Sequence, residues 1–107
     1  ILLLISEVAK TGATLVIEGG NDTEKDRREL TEILRNAGYT PTLIWIQTDV
    51  TTVRMRLKNK FKSVEKAKQV YDKCIQALEA PSDAEAPIVL SGKHTYPTQL
   101  KQVLTQL

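Results

Sequence analysis

Glu18 ends a short apolar run, Thr14-Leu-Val-Ile17, and leads into Gly19-Gly20 and then Asn21 and Asp22. A carboxylate at the end of a buried strand is costly unless it is solvated, paired or close to a metal. Open α/β sheets bind their ligands outside the carboxyl ends of the strands. Glu18 is therefore a candidate for chemistry, with Asn21 and Asp22 on the same edge as substrate contacts; the alternative is an acid that forms the turn or caps the next helix. Arg27 and Arg28 follow in the first turn of that helix, where the macrodipole disfavours cations. Arg28 is favoured over Arg27, and pairing with Glu24 or Glu32 is its plain alternative.

The densest charge lies further on. Eight basic residues, Arg54, Arg56, Lys58, Lys60, Lys62, Lys66, Lys68 and Lys73, face only Glu65 and Asp72 over the same stretch. Arg56 and Lys60 are one helical turn apart and share a face. Arginines and lysines on a closing segment can stabilise the charge that spreads over phosphate oxygens in phosphoryl transfer; a solvated helix face is the other reading. Ser91, Gly92 and Lys93 follow the last apolar run, at a strand-to-helix turn. His94 has no Ser, Cys or Asp at a recognisable spacing and reads as a turn residue, while Cys74 sits on an apolar helical stripe and reads as core. Metal-ligand clusters, catalytic triads and aromatic platforms for nucleic acid are not recognisable.

These residues need elements to position them. Leu4, Ile5, Val8 and Ala9 predict the face of a helix over Ile1–Lys10, ended at Gly12. Thr14–Ile17, continuous, β-rich and bounded by glycines, predicts a strand buried on both faces, with parallel neighbours. Thr23 and Asp26 have capping-box spacing, and Leu30, Ile33, Leu34 and Ala37 recur at helical intervals up to Gly38. Thr42–Gln47 predicts a second buried strand. Thr48 or Asp49 caps a third helix whose Val50, Val53 and Leu57 face inward, and a mobile connection is expected from Lys58 to Lys62. Ser63 caps a fourth helix to about Ala80, with Val64, Ala67, Val70, Tyr71, Cys74 and Leu78 as its stripe. Pro81–Pro87 is a loop, Ile88–Leu90 a third strand, and the last helix aligns Leu100, Val103, Leu104 and Leu107. The alternation predicts an α/β fold: three layers, a mainly parallel sheet of three strands, flanked by about five helices.

With 107 residues the chain is one domain at most. Its apolar fraction of 41% and charged fraction of 26% are those of a soluble protein, and a net charge of +2 does not by itself call for nucleic acid or membrane. The initial Ile-Leu-Leu-Leu-Ile run is too short to span a bilayer and lacks the flanks of a signal peptide. One cysteine fits a reducing, cytoplasmic setting. The chain starts inside what reads as an element already under way, so an upstream portion is expected.

The order of these signals resembles the later two-thirds of the P-loop kinases in the group containing polynucleotide kinase, zeta toxins and related small ATP-binding AAA-type proteins. Ala9-Lys-Thr-Gly-Ala-Thr-Leu-Val-Ile-Glu-Gly-Gly-Asn-Asp22 followed by Arg27-Arg28 is similar to the family's acid-ended strand and the helix after it. Arg56-Leu-Lys-Asn-Lys60 resembles its R-x-x-x-R helix before a mobile lid, with Lys at the second position. Ile88-Val-Leu-Ser-Gly-Lys-His-Thr95 resembles the last strand and the turn beside the base. The resemblance implies a P-loop NTPase-like fold, residues 1–107 as the C-terminal portion of a kinase-like domain, and residues 58–80 as a lid-like segment within it.

It also implies ATP and Mg²⁺ as cofactors and a hydroxyl-bearing acceptor, with nucleic acid a possible one and no membrane partner. Glu18, Arg28, Arg56 and Lys60 would be catalytic, Glu18 holding Mg²⁺ directly or through water. Asn21, Asp22 and Arg54 would contact substrate, and Ser91, Gly92 and Lys93 the nucleotide. The family's phosphate-cradling G-x-x-x-x-G-K-[ST] is absent, since Gly92-Lys93 is followed by His94. The 107-residue chain alone is accordingly not expected to bind ATP. The competing reading is a non-enzymatic α/β module that holds an anionic partner through its basic helix and lid region.

Overall fold

Three side chains start three helices by accepting a backbone N–H. In the computed structural model, which describes residues 2–107, Thr23 Oγ1 accepts from the Asp26 N–H at 3.1 Å and opens a helix over Glu24–Asn36. Asp49 accepts from the Thr52 N–H at 2.9 Å and opens one over Val50–Phe61. Ser63 accepts from the Lys66 N–H at 3.2 Å and opens one over Val64–Ala77. Each bond satisfies a donor that the first turn would otherwise leave without a partner.

The chain divides into two compact units, one up to Thr42 and one from Leu43 onward. In the first, helix α1 (Leu2–Ala9) packs on α2 (Glu24–Asn36). Ala9 and Leu34 are buried there, Ile5, Leu30 and Ile33 are half-buried, and Leu3 and Leu4 stay in solvent. The α2 stripe ends at Gly38, whose φ of +90° is a left-handed conformation that a Cβ disfavours. The Tyr39 N–H then donates back to Leu34 O.

In the second unit β1 (Ile44–Gln47) is followed by α3 (Val50–Phe61), α4 (Val64–Ala77), a 3₁₀ turn (Asp83–Glu85), β2 (Ile88–Ser91) and α5 (Tyr96–Gln106). The strands are parallel, with Ile44 opposite Ile88 and Gln47 opposite Ser91. Two bonds extend the ladder past the strand ends, Ile88 N–H to Leu43 O and Gly92 N–H to Gln47 O. Ile88, Leu90 and Ala67 are buried, while Val53, Leu57, Val70 and Val103 are half-buried. α5 packs on β2, and α3 on α4.

The expected three-layer, three-stranded sheet of P-loop NTPase type is not what forms. The described residues hold five α-helices and two strands. Thr14–Ile17 is irregular, and Val16 is 94% exposed. An apolar run becomes a strand only where a neighbouring edge takes up its N–H and C=O groups, and among the described residues the only strand pairing is that of β1 with β2. Nor is β1 buried as expected: Ile44 and Ile46 are 43% and 57% exposed. Several apolar stripes are only partly covered, so that Cys74, read as core, is exposed, as are Leu78, Leu100, Leu104 and Leu107. The stretch expected to be a mobile connection is helical instead: α3 runs through Lys58–Lys60 to Phe61, leaving Lys62 and Ser63 as the link.

Candidate functional site

In the first unit, Glu18 is exposed and lies in the irregular segment, so the argument from a carboxylate ending a buried strand does not apply to it. The neighbouring loop is organised by an arginine. Arg27, 6% exposed, donates from Nη1 to Asn21 O at 3.1 Å and to Asp22 O at 3.0 Å. Long helical side chains tilt toward the helix N-terminus, and Arg27 shares the stripe of Leu30 and Leu34, so it tucks under the loop that precedes its own helix. Arg28, favoured from the sequence, is not the organising residue; the position of Arg27 on the stripe of Leu30 and Leu34 is the signal that would have pointed to it. Arg28 is exposed and paired with Glu24 at 2.9 Å. The backbone carbonyls of Asn21 and Asp22 are thus committed to holding the loop.

In the second unit two turns meet at the carboxyl ends of β1 and β2. A Cβ on Gly92 would overlap Thr48 Oγ1 and come within 3.2 Å of Thr48 Cβ and 3.3 Å of Ile46 Cγ2. Glycine at this position lets the turn after β2 lie against the turn after β1. The donors here are engaged. The Gly92 N–H goes to Gln47 O at 2.7 Å, the His94 N–H to Ser91 O at 3.2 Å, and the Lys93 N–H to Ser91 Oγ at 3.2 Å. Arg56 Nη2 donates to Gly92 O at 3.0 Å, and Gln99 Nε2 to Ser91 O at 2.8 Å.

Lys93 Nζ stands 3.5 Å from Asp49 Oδ1. The Asp49 carboxyl is held below its ordinary value, first by the N–H of Thr52, then by the Thr52 hydroxyl, and further by the Lys93 charge. This corner brings together Arg56, Ser91, Gly92 and Lys93, and it is closed by its own hydrogen bonds rather than open as a phosphate cradle.

Arg56 apart, the helical hairpin of α3 and α4 is the opposite case. All eight of its Lys and Arg side chains from Arg54 to Lys73 are exposed, and among the described residues none is in an ion pair. What some of them touch is aromatic. Arg54 Cζ lies 5.0 Å from the centroid of Tyr71, at matching distances along the two helices from the Lys62–Ser63 link. Lys60 Nζ and Lys66 Nζ lie 5.5 Å and 5.1 Å from the centroid of Phe61. Lys62, the C-cap of α3, has a φ of +53°, a conformation few non-glycine residues adopt. It turns the chain within two residues and brings Lys60 of α3 and Lys66 of α4 to the same Phe61 ring.

Among the described residues no three His, Cys, Asp or Glu side chains converge as metal ligands. Glu18 is exposed and belongs to no such group among the described residues. A shallow groove of about 380 Å³ is lined by Pro97, Leu100, Lys101, Leu104 and Thr105, all on α5, and it gathers no convergent polar groups. No helix of the described residues is long and apolar enough to cross a membrane. Comparisons with protein-family models, with characterised proteins and with solved structures give no match for this chain.

Proposed function

We propose that the chain is a binding module for a phosphate-bearing polyanion, held by the α3–α4 hairpin. One observation carries this reading: eight exposed Lys and Arg side chains, none in an ion pair among the described residues, are gathered on two packed helices. Such charges repel one another, and a partner that carries phosphates relieves the repulsion while releasing its counterions. The single Cys74 suits a reducing, cytoplasmic setting for this activity.

The test is a binding titration of the chain with polyphosphate across salt. With six or more phosphate contacts, affinity falls roughly a thousandfold or more between 50 and 200 mM salt. Binding that does not respond to salt sinks the reading.

A second reading, phosphoryl transfer from ATP with Mg²⁺ to a hydroxyl acceptor, is favoured by one feature. Arg56 and Lys93 come to the carboxyl ends of two parallel strands, where α/β sheets bind ligands. In it Arg56 and Lys60 stabilise phosphate charge, with Arg54 contacting the substrate. The phosphates and metal are then held by groups other than the committed N–H donors of Gly92, Lys93 and His94. Calorimetric titration of the chain with ATP and Mg²⁺ separates the two: heat that saturates at one site per chain favours transfer, and its absence together with salt-sensitive polyphosphate binding favours the module.

A further inference from the structure

We infer that the hairpin takes single-stranded nucleic acid, reading backbone phosphates with its cations and bases with the rings of Phe61 and Tyr71. This rests on the polyanion reading and narrows it. A cation lies beside an aromatic ring at two places, Arg54 at Tyr71 and Lys60 with Lys66 at Phe61. Both rings are half-buried, so each is fixed by packing on one part of its surface and keeps another part free. Single strands alternate a charged backbone with flat π-faced bases, and proteins hold them with basic grooves interleaved with stacking rings. A phosphate that draws Lys60 or Lys66 toward itself uncovers the Phe61 ring for the base attached to it.

Other polyanions use less of this arrangement. A duplex keeps its bases stacked inside, so it would engage the cations and leave both rings without a partner. An anionic lipid surface needs an apolar face beside the charges. On this hairpin Met55, Val64 and Ile75 are exposed at 56%, 66% and 52%, but what lies over the two rings is cationic, and the vesicle probe below tests the lipid alternative directly.

The experiment measures binding of the full chain to four probes at fixed salt: a labelled single-stranded oligodeoxythymidylate, a DNA duplex, polyphosphate, and phosphatidylserine-containing vesicles. It uses the wild type, Phe61→Leu and Phe61→Tyr, with circular dichroism to check that both variants fold. Phe61→Leu is expected to weaken oligodeoxythymidylate binding roughly tenfold and to leave polyphosphate binding unchanged, while Phe61→Tyr, which keeps a ring, retains wild-type affinity. Equal effects of Phe61→Leu on both probes, or none on either, overturn the inference and leave the polyanion reading standing. Vesicles or duplex bound more tightly than the single strand also overturn it. Failure to bind any of the four overturns both.

Discussion

Two parts of the second unit carry basic side chains and treat them in opposite ways. At the carboxyl ends of β1 and β2, Arg56 is bonded to the Gly92 carbonyl and Lys93 stands against Asp49, while the backbone donors between them close the turn on itself. On the α3–α4 hairpin, Arg56 apart, the cations meet ring faces and solvent, and among the described residues none is in an ion pair although Glu65 and Asp72 lie on α4. The first arrangement stabilises the fold; the second has charge left for a partner. Motif order points to the strand ends, where the backbone donors are engaged, and the binding reading proposed above rests on the hairpin instead.

Removing charge from the hairpin should have the largest effect. Substituting Arg54, Lys58, Lys66 and Lys73 together by Gln is expected to lower the slope of log affinity against log salt by roughly three for a single-stranded polyanion. Thermal unfolding should change little, because these side chains are exposed. A large loss of stability would mean that the hairpin, like the strand ends, uses its cations to fold.

Gly92→Ala tests the other side. The added Cβ collides with Thr48, so the variant is expected to lose about 1–3 kcal/mol in urea unfolding. Its folded fraction should bind polyphosphate as the wild type does. Unchanged stability would show that the two turns can separate without cost.

Lys62→Gly sharpens the contrast within one residue. Relief of the left-handed conformation is expected to raise stability by about 0.5–1 kcal/mol, while one cation is lost from the hairpin tip. Chemical denaturation and polyphosphate titration should then move in opposite directions.

The smallest effect belongs to Asp49. Its carboxyl titrates below the ordinary value of 3.8, chiefly because the Thr52 N–H stabilises the charged form. A depressed folded value contributes stability that is present above the unfolded value and is lost as pH falls through the folded one. The thermal midpoint should therefore drop as pH is lowered below 3.8, and Asp49→Asn should flatten that part of the profile. An identical acid profile in the variant would assign the drop to other carboxylates.

The helix starts at Thr23, Asp49 and Ser63, the stop at Gly38 and the strands near Ile44–Gln47 and Ile88–Ser91 were all legible in the sequence. So was the clustering of basic charge. Caps and turns are contacts between residues three or four apart, so local residue order specifies them. The candidate site was legible only as charge.

What the tertiary structure decided is everything that needs a distant partner. Thr14–Ile17 has the composition of a strand, yet it enters no ladder among the described residues and stays irregular with Glu18 in solvent. Gly92 reads as a turn residue after the last strand, beside a nucleotide by resemblance, until Thr48 is found where its Cβ would be. Arg54 reads as one more charge on a helix until α4 returns with Tyr71 beside it. Strand pairing, close approach of two turns and a cation over a ring all depend on which surfaces come to face each other, and a linear pattern of residue types does not contain that.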